Sequence, residues 1–191
     1  VIVATVFGGL NGGELIVDAI SYSAKQEVIL AGLIFVFMAY LMDQTGIIGR
    51  LVNILNSVLG GLAGGSGYVA TIGCALFGMV SGVASANTAA IGSVCIPWMK
   101  QTGWSKQNAA GIVAGNSGLG VCFPPSTTML LVLAFEVVAA ELTSSELYVG
   151  LMEVGLIVLA MRLALVFFLA KKEGLKPLPK DQRIPLGTAL K

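Results

Sequence analysis

The chain has 191 residues, of which 56% are hydrophobic and 11% are charged, and its formal net charge is +1. Soluble domains carry roughly 25% charged residues, so this composition excludes a soluble globular protein and a disordered one, and it gives no sign of a nucleic-acid partner. Histidine is absent, which excludes serine–histidine catalysis.

The N-terminal part predicts membrane and surface segments. The sequence lacks an initiator Met and begins inside an apolar run, so we expect a fragment. Residues 1–26 are predicted to be the end of a preceding span and an external loop with a short surface helix. Residues 27–60 contain the uncharged run 28–42, which predicts a transmembrane helix, followed by an interfacial arm helix over residues 47–59.

Residues 51–99 carry no charge and contain nine glycines. This run is too long for one span, and its apolar pieces 68–80 and 89–99 are too short to cross a hydrocarbon core of roughly 30 Å. They flank the small, polar segment 81–88. Two half-length helices around a polar tip predict a re-entrant hairpin over residues 61–104, whose backbone must be satisfied by protein or water.

Residues 105–141 are predicted to form a transmembrane helix that is broken near its middle. The segment 116–120 loosens the helix, and Pro124 and Pro125 break it because proline lacks the backbone donor. A helix that restarts at Ser126 presents unpaired N–H groups that suit a carboxylate. Broken helices form the ion and substrate sites of secondary transporters, whereas the alternative is a simple proline kink.

The C-terminal part is predicted to contain a transmembrane helix over residues 148–170 and a cytoplasmic connector over residues 171–191. Membrane proteins keep Lys and Arg on the cytoplasmic side. Eight basic residues fall on one proposed side of this chain: Arg50, Lys100, Lys106, Lys171, Lys172, Lys176, Lys180 and Arg183. The fold class is therefore all-α integral membrane.

Four polar side chains lie within the eight residues 81–88, namely Ser81, Ser85, Asn87 and Thr88. Hard cations such as sodium prefer oxygen ligands, so Ser81, Ser85 and Asn87 are candidate sodium ligands. The alternative is a helix-packing surface, which small residues favour in membranes.

A few ionisable and thiol groups interrupt the apolar segments. Glu136 and Glu153 are expected at the membrane interface, and Arg162 is expected to snorkel or to pair with a lipid phosphate, which makes membrane lipid a partner. Cys74, Cys95 and Cys122 are interpreted as small buried hydrophobes. An intramembrane hydrolase would need a serine–lysine pair, but the available lysines, Lys100 and Lys106, lie at predicted membrane edges, so an enzyme is not expected.

Motifs from about residue 33 to residue 150 resemble those of one family, the large membrane subunit of the TRAP (tripartite ATP-independent periplasmic) transporters. The matching stretches are Met42-Asp-Gln-Thr-Gly-Ile47, Gly60-Gly-Leu-Ala-Gly-Gly65, Phe77-Gly-Met-Val-Ser-Gly82 with Ala84 and Asn87, Ile91 to Lys100 with Gly103-Trp104, and Gly120 with Pro124-Pro125-Ser126. Two positions depart from the family pattern: Val83 replaces a hairpin-tip serine, and Val121 stands where proline is frequent.

The resemblance implies one inverted-repeat half of an elevator-type importer in the bacterial inner membrane. It implies an organic anion substrate (a dicarboxylate, sugar acid or keto acid), sodium as coupling ion without another cofactor, a periplasmic substrate-binding protein and a small four-helix membrane subunit. The candidate site residues are Ser81, Gly82, Ser85, Asn87, Thr88, Gly118, Gly120, Pro124, Pro125, Ser126 and Thr127. The alternatives are a related elevator carrier without a binding protein and a truncated scaffold that does not transport.

Overall fold

The computed structural model describes residues 12–25, 30, 34, 37–38, 40–42, 44–124, 126–133, 135, 138 and 143–177. The described chain contains helices and a single isolated bridge between Ala63 and Pro177, in agreement with the all-α expectation. The expected end of a preceding span (residues 1–10), eight of the fifteen residues in the predicted transmembrane run 28–42, most of the connector (residues 178–191), Pro125 and Glu136 lie outside the described residues.

Seven α-helices and one 3-10 helix have both ends within the described residues. They are α1 (Gly12–Lys25), α2 (Ile47–Leu59), α3 (Gly65–Ser81), α4 (Ala84–Gln101), α5 (Lys106–Asn116), the 3-10 helix (Ser117–Cys122), α6 (Thr127–Leu133) and α7 (Ser144–Lys172). The segment expected to be an external loop with a short surface helix thus contains the 14-residue helix α1.

Helix α2 corresponds to the predicted arm. It starts after Gly46, whose φ of 71° is in the left-handed region that glycine tolerates. Ile48, Val52 and Asn56 recur every four residues and are buried, while Arg50 is exposed. This spacing gives one apolar stripe, and the stripe packs on the cluster formed by α3 and α4.

Helices α3 and α4 form an antiparallel hairpin. At its base the hydroxyls of Ser66 and Thr102 are 2.6 Å apart. At its tip the chain reverses within two residues, because Gly82 adopts a left-handed conformation with φ of 62° and Val83 is extended. The tip is therefore shorter than the expected polar segment 81–88, and residues 84–88 form the first turn of α4.

Helix α3 lies at the centre of the described fold. Its buried side chains face α4 on one side and α5 on another, which explains why its sequence is apolar around most of its circumference. The central cluster contains Val69, Ala70, Cys74 and Phe77 of α3, Ile91, Cys95 and Met99 of α4, and Ala109, Ile112 and Val113 of α5.

The predicted break follows α5. Ser105 caps the start of α5 by accepting a hydrogen bond from the Asn108 backbone N–H at 3.3 Å. The helix tightens into the 3-10 helix after Asn116 and ends before Phe123, which is extended (φ −110°, ψ 134°). A residue before proline avoids the helical region, so Pro124 explains where the helix stops.

Helix α7 is the one described helix that is long and apolar enough to cross a membrane. It has 29 residues and begins with a capping box, in which Thr143 and Glu146 bond each other's backbone N–H groups. Beyond its C-terminus, Glu173 accepts hydrogen bonds from the Ser105 N–H at 3.2 Å and from Asn108 Nδ2 at 2.6 Å. The C-terminus of α7 therefore lies beside the loop between α4 and α5, at the same end of the bundle.

Partial burial raises the pKa of Glu173, and the hydrogen bonds from Ser105 and Asn108 lower it by more, so that its pKa lies below the ordinary value. The basic residues that flank the α4–α5 loop, and those at and just after the end of α7, are grouped at this end. They are Lys100, Lys106, Lys171, Lys172 and Lys176, and all five are exposed.

Candidate functional site

The structure brings the hairpin and the helix break into direct contact. A Cβ atom on Gly78 of α3 would lie 2.8 Å from the Cα atom of Gly120, and a Cβ atom on Gly120 would overlap the backbone of Gly78. The two backbones can approach this closely only because both positions are glycine. Leu119 and Phe123 pack beside this crossing with Ala75.

Asn87 joins the two segments through its side chain. Its Nδ2 atom donates to the carbonyl oxygen of Cys74 in α3 at 2.8 Å and to that of Ser117 at the start of the 3-10 helix at 2.6 Å. Because carbonyl oxygens only accept hydrogen bonds, these contacts assign nitrogen and oxygen within the amide. Asn87 is fully buried, and its Oδ1 atom has no hydrogen-bond partner among the described residues.

The residues after the break also reach the hairpin. The Thr128 hydroxyl donates to the carbonyl oxygen of Gly82 at 3.0 Å. Ser126 is fully buried, and its hydroxyl has no partner within the part of the chain that the structure describes. The α6 start thus lies against the tip, next to a second buried oxygen. We name the region formed by Asn87, Gly82, the 3-10 helix and Ser126 the tip–break junction.

The predicted site residues differ in where they lie. Ser81, Asn87, Gly120 and Ser126 are buried, and Gly82 and Pro124 are partly buried. Ser85 is exposed, Gly118 is exposed with open space around it, and the Thr88 hydroxyl donates to Ala84 of its own helix at 2.9 Å. Pro125 and the Thr127 side chain lie outside the described residues. Which of these residues bind a ligand stays a prediction.

Three polar residues near the junction were not on the predicted site list. Thr128 contacts the tip, Ser117 supplies the carbonyl that Asn87 bonds, and Asn116 donates from Nδ2 to the Thr71 hydroxyl at 2.8 Å. The sequence signal that could have identified these three residues is that they are polar residues within an uncharged run. Sequence spacing could not show which of them face α3, because the turn at Ser117 changes the helical period.

Comparison with known families identifies the chain. The profile of the family "Tripartite ATP-independent periplasmic transporter, DctM component" matches residues 1–191.

Among individual proteins, the chain is 28% identical over 158 residues to the C4-dicarboxylate TRAP transporter large permease protein DctM of Pseudomonas aeruginosa. The aligned residues cover 83% of this chain and 36% of the relative. It is 32% identical over 177 residues to the isethionate TRAP transporter permease protein DctMQ of Oleidesulfovibrio alaskensis, covering 90% and 27%. It is 30% identical over 174 residues to the sialic acid TRAP transporter permease protein SiaT of Haemophilus influenzae, covering 91% and 28%.

The chain spans roughly a quarter to a third of the length of these relatives. The relatives are permeases, which supports a membrane protein. The profile match over the whole sequence identifies the chain as a member of the DctM component family of the tripartite ATP-independent periplasmic transporters.

Proposed function

We propose that this chain is part of the large permease subunit of a sodium-coupled importer of an organic anion. The tip–break junction would hold sodium and contribute to the substrate site. In this proposal the hairpin α3–α4 re-enters the membrane without crossing it, and α5, the 3-10 helix and α6 form a discontinuous span of one inverted-repeat half. This inverted-repeat half would move as part of an elevator-type transporter in the bacterial inner membrane.

The buried Asn87 amide is the observation that supports the sodium site. Its two N–H donors are used by carbonyl groups of the protein, which leaves Oδ1 without a partner in a desolvated place. An unsatisfied buried oxygen is costly, and an oxygen donor is what a hard cation requires. The Ser126 hydroxyl is a second buried oxygen of the same kind. Both oxygens are of the type that sodium takes as ligands.

The grouping of charges supports the proposed orientation. Five lysines lie at the end of the bundle where the α4–α5 loop meets the end of α7, and the capping box with Glu146 lies at the other end of α7. The positive-inside rule then assigns the lysine end to the cytoplasm. The hairpin would open from the cytoplasmic side, and its tip would point into the membrane.

The substrate and the partners are proposed from the family. Named relatives carry a C4-dicarboxylate, isethionate or sialic acid, and all three are organic anions. We propose a substrate of this class, delivered by a periplasmic binding protein to a permease that also includes a small four-helix membrane subunit.

An uptake assay with the full-length permease, its small subunit and its binding protein tests this proposal. The proteins are reconstituted in liposomes, and uptake of labelled C4-dicarboxylate, isethionate and sialic acid is measured with an inward sodium gradient or with potassium alone. Uptake of one of these anions that requires both sodium and the binding protein is expected. Equal uptake in potassium would refute sodium coupling, and uptake without the binding protein would indicate a carrier of another type.

The substitution Asn87→Ala tests the sodium site itself. We expect it to raise the sodium concentration for half-maximal uptake by about tenfold, equivalent to about 1.4 kcal/mol of binding. It also removes two donors from buried carbonyl groups, so some loss of stability is expected. Asn56→Ala is the control, because Asn56 is another buried amide with an unpartnered Oδ1 but lies on α2. Equal sodium requirements for both variants would contradict the assignment.

A further inference from the structure

Arg162 is a cation within the membrane-crossing helix α7, ten residues before its last residue, Lys172. In the part of the chain that the structure describes, no carboxylate pairs with it and its guanidinium makes no hydrogen bond. An ionisable group at such a depth is costly and indicates a function. No part of the proposed sodium site uses it.

The guanidinium lies against α5 and not against the exposed apolar face of α7. Its Nη1 atom is 3.2 Å from the position that a Cβ atom would take on Gly115. Arg162 and Asn116 line one cavity of about 100 Å³ between α5 and α7. The Oδ1 atom of Asn116 is buried and has no hydrogen-bond partner among the described residues. The cavity has room for about three water molecules.

The turn at Asn116 and Ser117 has Arg162 on one side and the tip–break junction on the other. Ser117 follows Asn116, and its carbonyl oxygen accepts the hydrogen bond from Asn87. Arg162 and the unpartnered Asn87 Oδ1 therefore lie on opposite sides of one turn, a separation on the order of 10 Å for a single helix diameter. At an effective dielectric constant of about 20, a unit charge at roughly that distance changes the affinity for a monovalent cation by about tenfold.

We propose that Arg162 sets the sodium affinity of the junction by electrostatic repulsion. This inference rests on the proposed function. The fixed positive charge weakens sodium binding. Sodium therefore binds at the high concentration outside the cell and is released at the low concentration inside it. Arg162 is thus a positioning charge that acts on the site through α5 and does not touch the ion.

The test measures sodium-dependent uptake by the full-length permease in liposomes, with its small subunit and binding protein. Arg162→Met and Arg162→Gln remove the charge, and Arg162→Lys retains it. Lys172→Met removes an equal charge from the exposed end of the same helix. We expect the sodium concentration for half-maximal uptake to fall roughly three- to tenfold in the Met and Gln variants, and to stay at the wild-type value in the Lys and Lys172 variants.

Four other results would overturn this inference. A sodium requirement that is unchanged or raised in a folded Arg162→Met or Arg162→Gln permease overturns the role of Arg162, and so does an equal fall in Lys172→Met. If neither neutral variant folds while Arg162→Lys behaves as wild type, the charge serves folding and the inference is wrong. Wild-type uptake that does not need sodium refutes the proposed function itself, and with it this inference.

Discussion

Gly120 should tolerate no side chain, because its Cα atom packs on the backbone of α3. A Cβ atom there would overlap Gly78 and lie 2.5 Å from the backbone nitrogen of Met79. Non-bonded heavy atoms prefer separations of roughly 3.5–4.0 Å, so relief of the closest overlap, with the backbone of Gly78, would require the 3-10 helix to move by about 1.5 Å. Overpacking of this kind costs about 1–3 kcal/mol. The movement would also stretch the 2.6 Å bond between Asn87 and Ser117, whose loss adds about 1 kcal/mol.

The total of about 2–4 kcal/mol predicts that Gly120→Ala lowers the midpoint of thermal unfolding of the full-length permease by about 2–4 °C. Gly118→Ala is the matched control two residues away, since Gly118 is exposed and a Cβ atom there meets nothing within 4 Å. A surface change of this kind is expected to stay within about 0.5 kcal/mol of wild type. Equal unfolding midpoints for the two variants would refute the close crossing of the 3-10 helix and α3.

Two further predictions concern the proposed cytoplasmic end and the orientation of the chain. Glu173→Gln should weaken the contact of the α7 terminus with α5 at pH 7 by at most about 1 kcal/mol, because Glu173 is only partly buried and solvent screens its charge. Since the pKa of Glu173 is lowered in the folded protein, its contribution is present above the ordinary carboxyl pKa of about 4.3 and is lost as the pH falls through the lowered value. For orientation, Thr143→Cys in a version without the native cysteines should react with a membrane-impermeant thiol reagent in intact cells, and Gln101→Cys should be protected.

Both predictions have clear contradicting results. A stability difference between wild type and Glu173→Gln that grows at acidic pH would reverse the expected sign. Labelling of position 101 with protection of position 143 would invert the orientation. Gln101 is a better probe than its neighbour Thr102, because Gln101 is exposed whereas Thr102 is partly buried and its hydroxyl bonds Met99 and contacts Ser66.

The sequence by itself determined the class of the protein and the position of its interruptions. Fifty-six per cent hydrophobic residues and long uncharged runs require a lipid environment. The half-length apolar pieces around Ser81–Thr88 and the prolines after Phe123 locate the hairpin and the break, because glycine and proline act on the backbone locally. Such local effects can be predicted from the sequence without knowledge of the tertiary contacts.

Tertiary structure decided which residues at these interruptions face each other. Ser85 and Asn87 are both polar and only two residues apart, yet one is exposed and the other bridges α3 and the 3-10 helix. Gly118 and Gly120 differ in the same way. The reason is geometric: a helix turns by about 100° per residue, so the face that a side chain presents depends on the packing of distant segments. Arg162 is far from Asn116 along the chain, and it meets the other side of that turn only through the docking of α7 on α5.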